Sequence, residues 1–400
     1  MASMEQTAPQ MDLLRLWRDK NARAVIIQIL TIAGLFFFTF WIVSNAVTNL
    51  ETIGKGYSFD FLFEPAGYDI NQYLIEYTNR SSHLTAAVVG LLNTLLVAVT
   101  GIVLATVVGF ILGVLRLSKN LLMSKIVYAY IEIVRNVPVL LWILLVHGML
   151  ISSLPSPKVA VNDGWDVMGI SFLSNRGFYL PQPNPEPAFW AVVIAFFIGI
   201  AGAVGFSRHA HKVQDATGKI LPVFWVSVAA VVGLPVLVFL VTGMPIEWSF
   251  PELKGFNFDG GFAIKPEFMA LTLALSLYTS SFIAENVRGG ILAVSHGQTE
   301  AAHALGISNS RTLQLVVIPQ ALRVIIPPLT SQYLNLTKNS SLAIAVGYMD
   351  VVATIGGISL NQTGREMECM TIVLLVYLCF SLMISAFMNW YNKRIKLIER

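Results

Sequence analysis

Apolar runs of about 20 residues, the length that crosses a bilayer as a helix, recur at roughly 24 to 46, 86 to 115, 126 to 152, 188 to 206, 220 to 243, 268 to 290, 324 to 349 and 369 to 390. The pattern predicts an all-α integral membrane protein with eight spans. The seventh run differs from the rest because Pro327, Pro328, Lys338 and Asn339 interrupt it. A broken helix at membrane depth is tolerated only where protein or a cavity surrounds it. Polar segments near 47 to 85, 153 to 187 and 244 to 267 separate the runs, and Pro181, Pro183, Pro185 and Pro187 alternate in a way that favours an extended, polyproline-like stretch.

Composition agrees with the pattern. Of 400 residues, 55% are apolar and 12% charged, against roughly a quarter charged in soluble domains. The net charge of +3 arises in clusters beside apolar runs. There is no basic face to track nucleic acid, which is not an expected partner. Basic residues favour the cytoplasmic side. With the N-terminus inside, the inner segments and their margins hold 17 Lys and Arg against 7 in the outer ones, Arg135 and Lys338 lying within spans. Both termini are therefore expected in the cytoplasm. Residues 1 to 23 carry no small-residue cleavage site and read as a retained cytoplasmic segment. Within it Leu13, Leu14, Leu16 and Trp17 alternate with Arg15, Arg18 and Lys20, the pattern of a short interfacial helix.

Ionisable groups inside spans cost about 2.5 to 3.5 kcal/mol each, so those present need a partner or an aqueous path. Glu132 with Arg135, and Glu285 with Arg288, are spaced i, i+3 and are expected to pair structurally on one helix face; contact with a solute is the other reading of each. Lys338 lies some 15 residues into the seventh run, about 22 Å along an unbroken helix. With Asn335, Asn339, Ser340 and Ser341 it forms either a polar patch for a carboxylate or a lysine that snorkels to the outer interface. Asn93 and Thr94 in the second run, and Ser276, Thr279, Ser280 and Ser281 in the sixth, are candidates first for inter-helix hydrogen bonds and second for ligand contact. The candidate path is thus Asn93, Glu132, Ser280, Ser281, Glu285, Lys338, Asn339 and Ser340. Cys369 and Cys379 would stand about 15 Å apart on one helix and cannot bridge. No metal spacing involves His147, His209 or His211, and no His or Cys lies near Glu132 or Glu285 in the same span. Covalent catalysis is not expected.

One inner segment carries a sharper signal. Ser295 to Pro319 has the composition of helix, turn and helix: Thr299 to Leu305 favours a helix, Gly306 suits the left-handed residue that ends one, and Ser308 or Asn309 can cap the next. Glu300, Ala301, Ala302, Gly306, Val316, Ile318 and Pro319 fill every slot of the pattern Glu-Ala-Ala, three residues, Gly, nine residues, aliphatic, one residue, aliphatic, Pro. This resembles the EAA loop of bacterial ABC importer permeases, which couples the permease to its ATPase. Two small alanines allow a short helix to sit deep in a partner's groove, and Gly306 permits a sharp turn. The chain has no Gly-x-x-x-x-Gly-Lys-Ser/Thr loop to cradle nucleotide phosphates. ATP and its magnesium are therefore expected on a partner ATPase, and no cofactor on this chain.

Gly90 to Leu95 with Tyr130 to Pro138, and Ser281 to Gly290, resemble the polar-amino-acid branch of these permeases. The resemblance implies a type I importer core of five spans over about 85 to 152 and 268 to 391, with spans one, four and five as additions. Such an enlarged chain is similar to the general L-amino-acid permease subunits. The expected divisions are a cytoplasmic segment at 1–23, a first span and outer loop at 24–84, core at 85–152, outer loops with two accessory spans at 153–267, and core at 268–400 with the coupling loop at 295–319. The implied partners are an ATPase dimer at the cytoplasmic face, a second related permease, a periplasmic amino-acid-binding protein and the inner-membrane bilayer. Where the family often has Lys-Asp-Thr-Ser-Leu, this chain has Lys338-Asn-Ser-Ser-Leu342, so the acid's role is not carried over. An ion-coupled secondary transporter, the alternative, would call for inverted repeats with paired broken spans.

Overall fold

The computed structural model describes residues 19–52 and 56–395; the interfacial helix expected around Leu13 to Trp17 lies outside the described residues. In chain order the main helices are α1 Lys20–Thr52, α2 His83–Leu115, α3 Leu121–Asn136, α4 Val139–Ser153, α5 Pro157–Asn162, α6 Phe189–Thr217, α7 Val223–Val241, α8 Pro266–Leu292, α9 His296–Ala304, α10 Asn309–Val346 and α11 Glu366–Ile395, with short helical turns at Asp60–Phe63, Val352–Ser359 and Leu360–Thr363. Seven of them are long and apolar enough to cross a membrane, and the pair α3 and α4 makes an eighth if counted as one span.

That pair corrects the sequence reading, which treated 126 to 152 as one run. α3 and α4 meet at 106°. Pro138 caps α4 and has no N–H to continue the helix, and Val137 before it is extended at φ −103°, ψ 134°, the conformation a following proline imposes. The expected break at Pro327 and Pro328 is also corrected. The stretch Ile318–Asn339 of α10 runs through both prolines, which forfeit only their own donated bonds; flanking turns and the packed neighbour α8 hold the rest. The change comes later, where Ser340–Val346 tightens to a 3₁₀ turn ended by Gly347.

α8 is the centre. Buried residues make up 61% of its apolar window, against none for α1 and α7. α2, α4 and α10 pack on it, enclosing Val97, Ile143, Leu275, Ile283, Ile325 and Leu336. On α2, Gly109 and Gly113 lie opposite Ile283 and Val287; a Cβ at either glycine would fall 2.6 Å from its opposite number's Cβ. This is the close approach that a small-xxx-small face allows between membrane helices. The core is thus α2, the bent α3 and α4, α8, α10 and α11. Spans α1, α6 and α7 are additions to it. α6 and α7 pack on each other, and among the described residues neither has an extensive contact with the core helices.

The polar segments between the spans hold strands that local pattern did not foretell. β1 Asp166–Val167, β2 Ser171–Ser174, β3 Gly177–Leu180, β4 Gln182–Pro185, β5 Ile246–Ser249, β6 Glu252–Lys254, β7 Asn257–Asp259 and β8 Phe262–Ile264 are all antiparallel. One sheet has the order β1-β2-β3-β8, and β4 pairs β5 and β6 pairs β7 as ribbons. The polyproline-like stretch is therefore corrected to a strand: Pro183 faces Trp248 and Pro185 faces Ile246, prolines being admitted because both strands of a ribbon are edges. β8 leads directly into α8, so this sheet is anchored at the N-terminal end of the core's central helix.

Candidate translocation path and coupling site

Between α8 and α10, α9 stops by a complete Schellman motif. Ile307 N donates to Ala302 O at 3.1 Å and Gly306 N to His303 O at 2.9 Å, with Gly306 at φ +73°, a conformation that glycine enters without steric cost. Ala302 is buried, whereas Glu300 and Ala301 are exposed. The Glu300 carboxylate accepts from His296 Nδ1 at 3.0 Å. Leu305, at the turn, is 80% exposed. The expected side-chain cap is absent: Ser308 occupies the N-cap position without a capping bond. A π-helical turn, Leu313–Val317, precedes Pro319, which has no N–H to donate back to Leu315. Gln320 Nε2 donates to Gln298 Oε1 at 3.3 Å and ties α10 back to α9.

Of the candidate path residues, several are bound into the packing. Asn93 is fully buried and its Nδ2 donates to Gln72 O at 2.8 Å and Met349 O at 2.9 Å. Its neighbour Thr94 accepts from Val351 N at 3.1 Å. Together they clamp the segment after α10 against α2. Ser280, Ser281 and Ser340 are buried and their hydroxyls donate to carbonyls three residues back on their own helices. Tyr130 OH of α3 adds bonds to Leu277 O and Ser280 Oγ.

The acidic positions separate. Arg288 Nε donates to Glu285 Oε1 at 2.9 Å, with both side chains about one-third exposed. No ion pair joins Glu132 to Arg135, which corrects the pairing expected from their spacing. Asn136 Nδ2 donates to Glu132 O at 2.7 Å, and the Arg135 guanidinium lies 4.9 Å from the centre of the Phe282 ring. A cation over an aromatic face replaces the carboxylate partner, because α8 brings that ring alongside α3.

A polar recess of about 360 Å³ opens between α8 and α10, lined by Tyr278, Thr279 and Phe282 of α8 and by Gln332, Asn335 and Asn339 of α10. Asn339 alone of the candidate path lines it. Lys338 is exposed, outside this lining. Sequence reading missed Tyr278, Phe282 and Gln332. The signal was available as spacing: 332, 335 and 339 share one helical face, as do 278, 279 and 282.

The family of binding-protein-dependent transport system inner membrane components matches residues 216–397. The general L-amino acid transport system permease protein AapQ of Rhizobium johnstonii is 48% identical, over 96% of this chain and 94% of its own. The putative amino-acid ABC transporter permease protein YhdX of Escherichia coli is 46% identical over 96% of both chains. The glutamate/glutamine/aspartate/asparagine transport system permease protein BztB of Rhodobacter capsulatus is 45% identical, again over 96% of each. With the five-span core, the Glu300 to Pro319 loop and relatives this similar along nearly the whole length, the chain belongs to the family of ABC-importer permeases.

Proposed function

We propose that this permease imports polar or general L-amino acids across the bacterial inner membrane by alternating access, driven by ATP that a separate ATPase binds with magnesium and hydrolyses. The observation that carries the reading is the recess on α8 and α10. Amide and hydroxyl groups there interrupt an apolar environment, where unsatisfied polar groups are costly. The same two helices are joined by α9, so a push on α9 reaches both walls. The solute class follows from the names of the relatives.

In this reading α9 and the Gly306 turn dock on an ATPase dimer, with exposed Leu305 offered to the ATPase and Ala302 packed against the permease itself. A second, related permease closes the open side of the recess. A periplasmic amino-acid-binding protein delivers solute at the outer sheets, and both termini lie in the cytoplasm. Gln332, Asn335 and Asn339 hydrogen-bond the solute, and the chain does no covalent chemistry. ATP binding must favour one of two conformations for the cycle to turn. The test is a reconstituted complex with ATPase and binding protein in liposomes, scored for ATP hydrolysis stimulated by individual L-amino acids; absence of stimulation by all of them overturns the solute assignment.

A further inference from the structure

A second polar cavity, of about 430 Å³, lies at the outer end of α8 where the accessory sheet meets the core. Asn71 comes from the loop before α2, Asn175 and Arg176 from the turn between β2 and β3, Asn257 from β7, and Lys265 and Glu267 from the start of α8. The seam is tightly built. Asn175 N donates to Pro155 O at 2.8 Å, fixing the turn to the segment that leaves α4. Gly177 follows at φ +131°, where a Cβ would meet Ile264 O at 2.5 Å; only glycine lets the turn close on β8.

The charges are mixed and unspent. Among the described residues no ion pair joins Glu267 to Arg176 or Lys265. Asn175 belongs to the lining, and its Oδ1 is buried without a hydrogen-bond partner, an uncompensated acceptor. Tyr179 places the charges in one neighbourhood. Its hydroxyl donates to Asn257 Oδ1 at 2.8 Å. Burial raises its ionisation above the usual value, the Asn257 bond and the Arg176 charge oppose that rise, and Glu267 adds to it.

Resting on the amino-acid reading above, we propose that this cavity is an outer waiting site for the zwitterionic head of an α-amino acid. Arg176, with Lys265, takes the α-carboxylate, the fork of a guanidinium matching its two oxygens. Glu267 takes the α-ammonium, and Asn175, by turning its amide toward the cavity, offers its unpartnered Oδ1 to one of the ammonium N–H groups. The site needs both the accessory sheet and α8, which gives the added residues 153 to 267 a role in transport. Glu267 and Thr279 are twelve residues apart on one helix, about 18 Å, so solute leaving the outer cavity meets the recess one short passage further along.

The test uses the assembled permease and ATPase in lipid nanodiscs without binding protein, and measures equilibrium binding of radiolabelled L-glutamine and L-glutamate. Whichever binds should be weakened at least tenfold by Arg176→Ala and by Glu267→Gln, and less by Arg176→Lys and Glu267→Asp, which retain the charge and report that the fold is intact. N-acetyl-L-glutamine, lacking the ammonium, and L-glutamine α-amide, lacking the carboxylate, should not compete. Repeating the measurement in an Asn335→Leu background removes the recess and should leave the Arg176-sensitive component. No binding to the unmodified complex, or affinities within twofold across the variants, overturns the proposal. So does weakened docking of loaded binding protein with free amino-acid binding unchanged, which would make the cavity a protein contact. Failure of the transport reading is distinct: the complete system would then show no amino-acid stimulation at all.

Discussion

Gly113 of α2 stands so close to Val287 of α8 that a Cβ added at 113 would lie 2.6 Å from the Val287 Cβ and 2.8 Å from the Ala284 carbonyl oxygen. Neither contact is with the far end of a flexible side chain, so the helices must separate to admit one. Gly113→Val is expected to cost about 1 to 3 kcal/mol, as overpacking does, and to lower the melting temperature of the detergent-solubilised protein. Gly34→Ala on α1, where an added Cβ meets nothing within 4 Å, is the control and should leave it unchanged.

Gly306 ends α9 in the left-handed region, where a β-branched residue carries strain of about 1 to 3 kcal/mol. Gly306→Val should misdirect the chain between α9 and α10, leaving the spans inserted while uncoupling ATP hydrolysis from transport or weakening assembly with the ATPase. Coupled transport at the unmodified rate would remove the docking role from this turn.

In the recess, Asn335→Leu should lower solute uptake at least tenfold by filling a polar wall with an apolar group. Lys338→Met, one position before Asn339 but outside the lining, should change apparent affinity by less than about twofold, within the range of a lost surface charge. A large loss of affinity in Lys338→Met with little in Asn335→Leu would relocate the solute contact to the lysine. Uptake measured against solute concentration separates the two.

Asn93, itself fully buried, donates two bonds to main-chain carbonyls on different segments, Gln72 and Met349. Asn93→Ala strands both acceptors and should destabilise the protein by about 2 kcal/mol or more. Asn93→Asp should be worse, since it also buries a charge. Thermal unfolding in detergent reads both, and a melting temperature unaffected by either change would show that the clamp is dispensable.

The spans that read directly from the sequence are those whose apolar run is also one straight helix. Residues 86 to 115 are an example. Hydropathy reports burial in an apolar medium but not direction, so it could not distinguish a crossing helix from the sharp turn at Val137 and Pro138. Pro327 and Pro328 misled the other way, because a proline's lost bond is local and neighbouring helices can carry the strand of main chain through it. The strands were illegible because their partners are remote: Tyr179 pairs with Ala263, and short prolines-containing segments have no period of their own. The Glu300 to Pro319 loop was legible because its constraints are local, a helix, a glycine stop and a proline start. The recess was not, since which face of α8 and α10 stays open depends on how the two helices rotate against α2 and α4.

Leu180 and Phe262 are Cα partners across β3 and β8, so the chain leaves the core at one point and returns beside it. Everything from 181 to 261, including α6 and α7, is an excursion stapled shut at its base. The entropy of closing that long loop is met by the strand pairing itself, and a two-residue turn would suffice to rejoin the ends. In architectural terms the excursion is a cassette. It can lengthen, shrink or be excised without changing where α8 begins; excision takes Asn257 from the outer cavity and leaves Arg176, Lys265 and Glu267 on the scaffold.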